Sequence, residues 1–197
     1  MYRTVLKQRP DFAVAHHKLG RIYSSQGDFE NAVIEFSEYL QQIPDSAPDH
    51  YELALALIQL QKTDQAIAEF REALQLAPEF VTANLALGQL LLSLHRPKEA
   101  IECFEQALQY DPKSANAHAY LFLALAQTQQ LNQALVHANQ AIALEPNSFE
   151  HRFNLGAFLI NQRLFAEGIS QLRVAQKLKP NDPRPAQLIR QVEASIK

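Results

Sequence analysis

Six of the ten prolines, Pro10, Pro44, Pro78, Pro112, Pro146 and Pro180, each stand 34 residues from the next. A proline cannot donate the helical hydrogen bond, and its ring clashes with the preceding turn, so each of these positions ends a helix. Stops at one fixed interval imply one structural unit repeated along the chain. Two further residue types keep the same register. Alanine recurs at Ala32, Ala66, Ala100 and Ala134, with Gly168 in the next slot, and leucine at Leu19, Leu53, Leu87, Leu121 and Leu155. Three residue types in one register are not produced by chance, so the chain is a tandem array.

The stretch from Val81 to Pro112 shows what one unit contains. Two helical patterns flank a short break at His95-Arg96-Pro97, and the unit closes on Asp111-Pro112. Pro97 is placed in the first turn of the second helix, where its missing N–H costs nothing. The first unit breaks at Gly27-Asp28, glycine tolerating positive φ and aspartate able to cap the next helix. Gly20, Gly88 and Gly156 on the first helices, with Ala32, Ala66 and Ala100 on the second, let the two helices approach closely. In the fourth unit, Phe122 fills a slot that is Gly or Ala in the first three. Ala138 there replaces Phe36, Phe70 and Phe104, an exchange that conserves core volume.

These residues, among them Leu19-Gly20-x-x-Tyr23, Ala32, Phe36 and Pro44, resemble the tetratricopeptide repeat (TPR) family over nearly the full chain. The resemblance implies an all-α fold, a right-handed α-solenoid of stacked antiparallel helix pairs. Repeats are expected at 13–46, 47–80, 81–114, 115–148 and 149–182, forming a single solenoid. Residues 1–12 read as the tail of a preceding repeat, and the chain as a fragment of a longer protein or one started inside a former repeat. Residues 183–197 read as a capping helix, with Leu188, Ile189, Val192 and Ile196 on one face and Arg190, Gln191, Glu193 and Lys197 elsewhere.

Composition narrows the function classes. A chain that is 47% hydrophobic and 20% charged is globular rather than disordered. Its net charge of −3 argues against a nucleic-acid binder, which shows a basic patch. No apolar run is long enough to span a membrane. A lone cysteine, Cys103, excludes an internal disulfide and fits a reducing compartment such as the cytoplasm.

Chemistry-bearing motifs are absent. The sequence has no HExxH, paired-cysteine zinc spacing, phosphate-cradling glycine loop or GxSxG. His16, His50 and His118 share one repeat position and read as repeat-packing residues, while His16 and His17 point to different sides of a helix. The expectation is no enzyme, no metal and no cofactor.

The resemblance places function on a concave groove lined by the first helix of each repeat. In the first repeat it implies Val14, His17, Arg21, Ser24 and Ser25, and in the second Tyr51, Leu55, Ile58 and Gln59. The third supplies Thr82, Leu85, Gln89, Leu92 and Ser93; the fourth Asn116, Ala119, Leu123, Ala126 and Gln127. Glu150, Phe153, Ala157, Ile160 and Asn161 follow in the fifth. Of these, His17, Arg21, Tyr51, Leu55, Gln59, Leu85, Gln89, Asn116, Leu123, Gln127, Phe153 and Asn161 are the binding candidates. The middle is apolar and neutral-polar, with cations at the N-terminal end, which suits a peptide supplying apolar anchors.

Two specialised family sites do not fit. A clamp for chaperone C-terminal carboxylates would fall on His17, Arg21, Glu52, Thr82 and Ala86, and Glu52 has the wrong sign. An asparagine ladder would fall on Lys18, Glu52, Ala86, Tyr120 and Asn154, where one residue matches. The expected function is a non-catalytic interaction scaffold for a peptide or protein segment. A substrate-docking arm of a larger enzyme, such as a transferase, is one alternative. Another is a scaffold self-assembling as a homo-oligomer through the apolar stub of Tyr2, Val5 and Leu6.

Overall fold

The computed structural model describes residues 2–9 and 11–195, without the side chain of Val5. Within these the chain forms twelve helices and no strands. Short α1 (Tyr2–Gln8) is followed by five pairs: α2 (Ala13–Gln26) and α3 (Phe29–Gln42), α4 (Ala47–Gln59) and α5 (Thr63–Leu76), α6 (Val81–Ser93) and α7 (Pro97–Tyr110). The last two are α8 (Ala115–Gln127) with α9 (Leu131–Leu144), and α10 (Phe149–Asn161) with α11 (Phe165–Leu178), before the closing α12 (Pro183–Ser195). The chain divides into two compact units, Met1–Leu90 and Leu91–Lys197, with the division inside α6.

Helix ends follow from the proline register. Each of α3, α5, α7, α9 and α11 stops two residues before its proline. The residue between leaves the helical region, as at Ile43 (φ −133°, ψ 79°) and Lys179 (φ −132°, ψ 83°). Proline's Cδ excludes the α conformation from the residue before it, so the stop is built one step early. Pro10 itself lies outside the described residues.

The turn inside each pair has its own constant. Gly27 adopts φ 76°, and the residues in the same register, Gln61, His95, Gln129 and Arg163, adopt φ of 57°, 56°, 62° and 61°. Only the first repeat supplies the glycine that left-handed geometry favours; the other four hold a side chain there against its strain. Asp28 then caps α3 by accepting from the Asn31 amide, and Pro97 opens α7 in its first turn.

Packing inside the pairs rests on complementary volumes. Phe36, Phe70 and Phe104 are fully buried, as are Ala32, Ala66, Ala100 and Ala134. A Cβ on Gly20 would meet Phe36 Cδ1 at 2.8 Å, so glycine makes the seat for that ring. At the matching place in the fifth pair, a Cβ on Gly156 would meet Leu172 Cγ at 2.8 Å. One on Gly168 would lie 2.9 Å from the Gly156 carbonyl oxygen, a backbone-to-backbone approach that leaves no room for a methyl. In the fourth pair the exchange runs the other way: Phe122 is buried from α8, Ala138 is buried on α9, and Phe122 meets Phe158 edge-on at 5.2 Å.

The first and last helices pack differently. Arg3 of α1 donates to the Tyr23 hydroxyl through its Nε at 2.7 Å and again through a terminal nitrogen. Tyr2 and Leu6 are half-buried; the Val5 side chain of the apolar stub lies outside the described residues. At the other end Ile189 and Val192 of α12 join Ile160 and Leu172 in one buried cluster. Arg190, Gln191 and Glu193 face outward, and Ile196 and Lys197 lie outside the described residues.

Phe36→Ala is expected to cost about 3–5 kcal/mol, the range for emptying a fully buried aromatic site. The double variant Gly20→Phe with Phe36→Ala copies the fourth pair's arrangement and is expected to recover part of that loss. Urea unfolding of the wild type and both variants would test this, and no recovery in the double variant would refute the volume-exchange account.

Candidate peptide-binding surface

The first helices bury one face and show another. On α2, Ala15, His16, Leu19, Gly20 and Tyr23 are buried, which turns Arg21 outward and leaves His17 half-buried. The same helical period governs the other four. Arg21, Gln59, Gln89, Asn116, Gln127 and Asn161 are exposed, and His17, Tyr51, Leu55, Leu85, Leu123 and Phe153 are half-buried. None of the twelve candidates is lost to the core. Two wider groove positions are buried, Ala119 and Ile160, the latter inside the α12 cluster.

Several candidates already have intramolecular work. His17 Nδ1 pairs with Asp49 Oδ1 at 2.5 Å, tying α2 to α4, while Ser46 Oγ donates to the other oxygen of Asp49 at 2.6 Å. The Tyr51 ring packs on Phe70 and Phe80 at 5.8 and 5.1 Å. Burial, with Glu52 beside it, pushes its hydroxyl pKa up. Phe153 stacks on Phe149, and the Arg184 guanidinium of α12 lies 4.7 Å above its ring. Hydrogen bonds to Asp182 and Glu150 hold that guanidinium in place.

In the second unit, three candidates converge. Leu123, Gln127 and Asn161 line an open depression of about 640 Å³ with Leu92, Ser93, Phe122, Ala126, Gln129, Asn154, Ala157, Phe158 and Gln162. Leu92, Ser93, Ala126 and Ala157 also belong to the wider groove positions. Sequence reasoning missed Phe122, Phe158, Gln129 and Gln162, and met Asn154 only as the one match to an asparagine ladder that does not fit. Phe122 read as part of a core volume exchange, and both rings are mostly buried. Gln129 and Gln162 sit at helix C-termini, outside the helical register that defines the groove. In the first unit, Arg21 shares a smaller depression of about 320 Å³ with Tyr2, Lys18, Ile22 and Ser25.

The shared histidine position makes one polar rung inside each of four helix pairs. His16 Nδ1 meets Glu35 Oε2 at 2.7 Å, and His50 Nδ1 meets Glu69 Oε2 at 2.6 Å. In the same register His118 Nδ1 meets His137 Nδ1 at 2.9 Å, and Arg152 donates to Gln171 Oε1 at 2.9 Å. The position also satisfies the carbonyl of the repeat proline six residues earlier. His50 Nε2, Asn84 Nδ2, His118 Nε2 and Arg152 Nε donate to the carbonyls of Pro44, Pro78, Pro112 and Pro146 at 2.9–3.3 Å. These histidines therefore pack and also join helix to helix. Among the described residues no three His, Cys, Asp or Glu side chains are grouped to hold a metal ion, and no helix is long and apolar enough to cross a membrane.

Paired helices of 13 or 14 residues, a repeated small-against-large seat and one exposed face on every first helix define a repeat protein of the interaction-module class. Models of the tetratricopeptide repeat match residues 13–46, 57–121 and 91–136, and 121–183. The chain belongs to the tetratricopeptide repeat family, whose members are generally non-catalytic interaction modules, and its fold is the all-α solenoid of that family. Solved structures agree in fold. YrrB, a TPR protein described as having an unusual peptide-binding site, is 18% identical with a TM-score of 0.79, covering 95% of this chain and 97% of its own. MamA from Desulfovibrio magneticus RS-1 is 20% identical, with a TM-score of 0.80 over 86% of this chain and 96% of its own. PilF of Pseudomonas aeruginosa is 21% identical, with a TM-score of 0.75 over 95% and 90%. No curated protein compared with the sequence matches it.

The His118–His137 rung predicts a pH dependence. Burial first, and the neighbouring His118 second, lower the pKa of His137 below the ordinary 6.5. The unfolded chain then takes up this proton before the folded one, so stability is complete above that ordinary value and falls as pH drops through it. His137→Glu installs the carboxylate found at Glu35 and Glu69, and this contribution to acid sensitivity is expected to vanish. Urea midpoints measured from about pH 7.5 down to about pH 5.5 would check it, a steeper acid loss in the variant being the contrary result.

Proposed function

We propose that this chain is a non-catalytic scaffold that binds a peptide or protein segment along its first helices. The observation carrying this reading is the second-unit depression, where Leu123, Gln127 and Asn161 meet over an apolar floor of Phe122 and Phe158. Apolar pockets rimmed by a few polar groups suit anchor side chains of an extended or helical segment. In the first unit, Leu55 on α4 and Leu85 on α6 are likewise half-buried. YrrB, similar in fold, is described as having a peptide-binding site, which adds support by analogy of fold alone.

Affinity capture with the wild-type chain beside a Leu55→Glu, Leu85→Glu, Leu123→Glu variant of equal helicity tests the reading. A partner held by the wild type should be lost from the variant, since a buried unpaired carboxylate opposes every apolar anchor. Equal capture by both would remove binding from the first helices.

A further inference from the structure

The second-unit depression is unusual in what surrounds it. Its polar lining includes five carboxamides, Gln127, Gln129, Asn154, Asn161 and Gln162, and none of the lining residues is Asp, Glu, Lys, Arg or His. Among the described residues, none of these five side chains has a hydrogen-bond partner within the chain. Asn154 and Gln162 are half-buried, and so only partly hydrated, beside the Phe122–Phe158 edge contact. The contrast with the first unit is sharp, where Lys18 and Arg21 line the smaller depression.

Resting on the reading above, we propose that this depression is a subsite for an uncharged extended peptide, read through its backbone amides and its apolar side chains. Each carboxamide carries both donors and an acceptor, matching the N–H and C=O that an extended strand presents in alternation. Hydrogen bonds to the main chain carry no demand on sequence, while the apolar floor of Phe122, Leu123 and Phe158 demands an aliphatic or aromatic anchor. A charged side chain entering this site finds no counter-charge and loses its hydration, so the site rejects it. Selection here is against charge rather than for a particular residue.

The test uses random peptides displayed on phage, selected on the full wild-type chain and counter-selected on Leu123→Glu. The expected winners have an uncharged, apolar centre. Their affinity should change by less than about twofold between low salt and about 0.5 M salt, as no ion pair is there to be screened. N-methylating a central backbone amide of a winning peptide should weaken it roughly three- to tenfold, the loss of one hydrogen bond. Gln127→Glu and Asn161→Asp are nearly isosteric changes at exposed positions, so helicity should persist while neutral peptides bind at least about tenfold more weakly.

Winners rich in charge, with steep salt dependence, bound equally by Asn161→Asp and lost by Arg21→Glu, would overturn the proposal and leave the scaffold reading standing. No enrichment over Leu123→Glu would sink both. Sedimentation showing a wild-type dimer that Asn161→Asp dissociates would assign the depression to a second copy of the chain and also overturn it.

Discussion

Everything in this molecule depends on how closely two helices of a pair can approach. Where Gly20 faces Phe36, the absent Cβ is the seat of the ring; where Gly156 faces Gly168, backbone nearly touches backbone. Such packing has almost no slack, because interiors are as dense as organic crystals and a single methyl is felt. It also fixes which side of each first helix is consumed. Once residues such as Leu19, Leu53, Leu121 and Leu155 are committed to the core, the opposite face is left for other uses.

A second constraint is polar. The repeat prolines Pro44, Pro78, Pro112 and Pro146 are exposed, and the first helix that follows each offers its carbonyl a side-chain donor. His50, Asn84, His118 and Arg152 all supply it. The same side chains also reach across to the second helix where a partner is provided, as His50 does to Glu69. This dual role explains why a position that resembles a packing slot in the family here accepts histidine, asparagine and arginine alike. Shape varies among them, while the ability to donate to a carbonyl does not.

The surface left over is not uniform. His17 is engaged with Asp49, Tyr51 with Phe70 and Phe80, and Phe153 lies under Arg184. Leu123, Gln127 and Asn161 have no such tie and share one open depression. A row of equivalent sequence positions thus yields unequal sites. The difference comes from neighbours on other helices, such as α12 over Phe153, rather than from the row itself.

The sequence by itself determined the twelve-helix, five-pair arrangement of this TPR chain. Proline at 34-residue intervals dictates where helices stop, and the small residues in phase dictate where they touch; both are local or periodic facts that a chain displays directly. It also determined which helix face is available, because burial follows the helical period. Only the tertiary structure decided which candidates are free. Whether Phe153 is covered depends on a guanidinium 31 residues further along. That Gln129 and Gln162 join a depression with Asn154 depends on distances between helices. Likewise, pairing of His118 with His137 rather than with a carboxylate needs both helices in place. Periodicity encodes the face of a helix, but contacts across helices require side-chain positions that no spacing along the chain specifies.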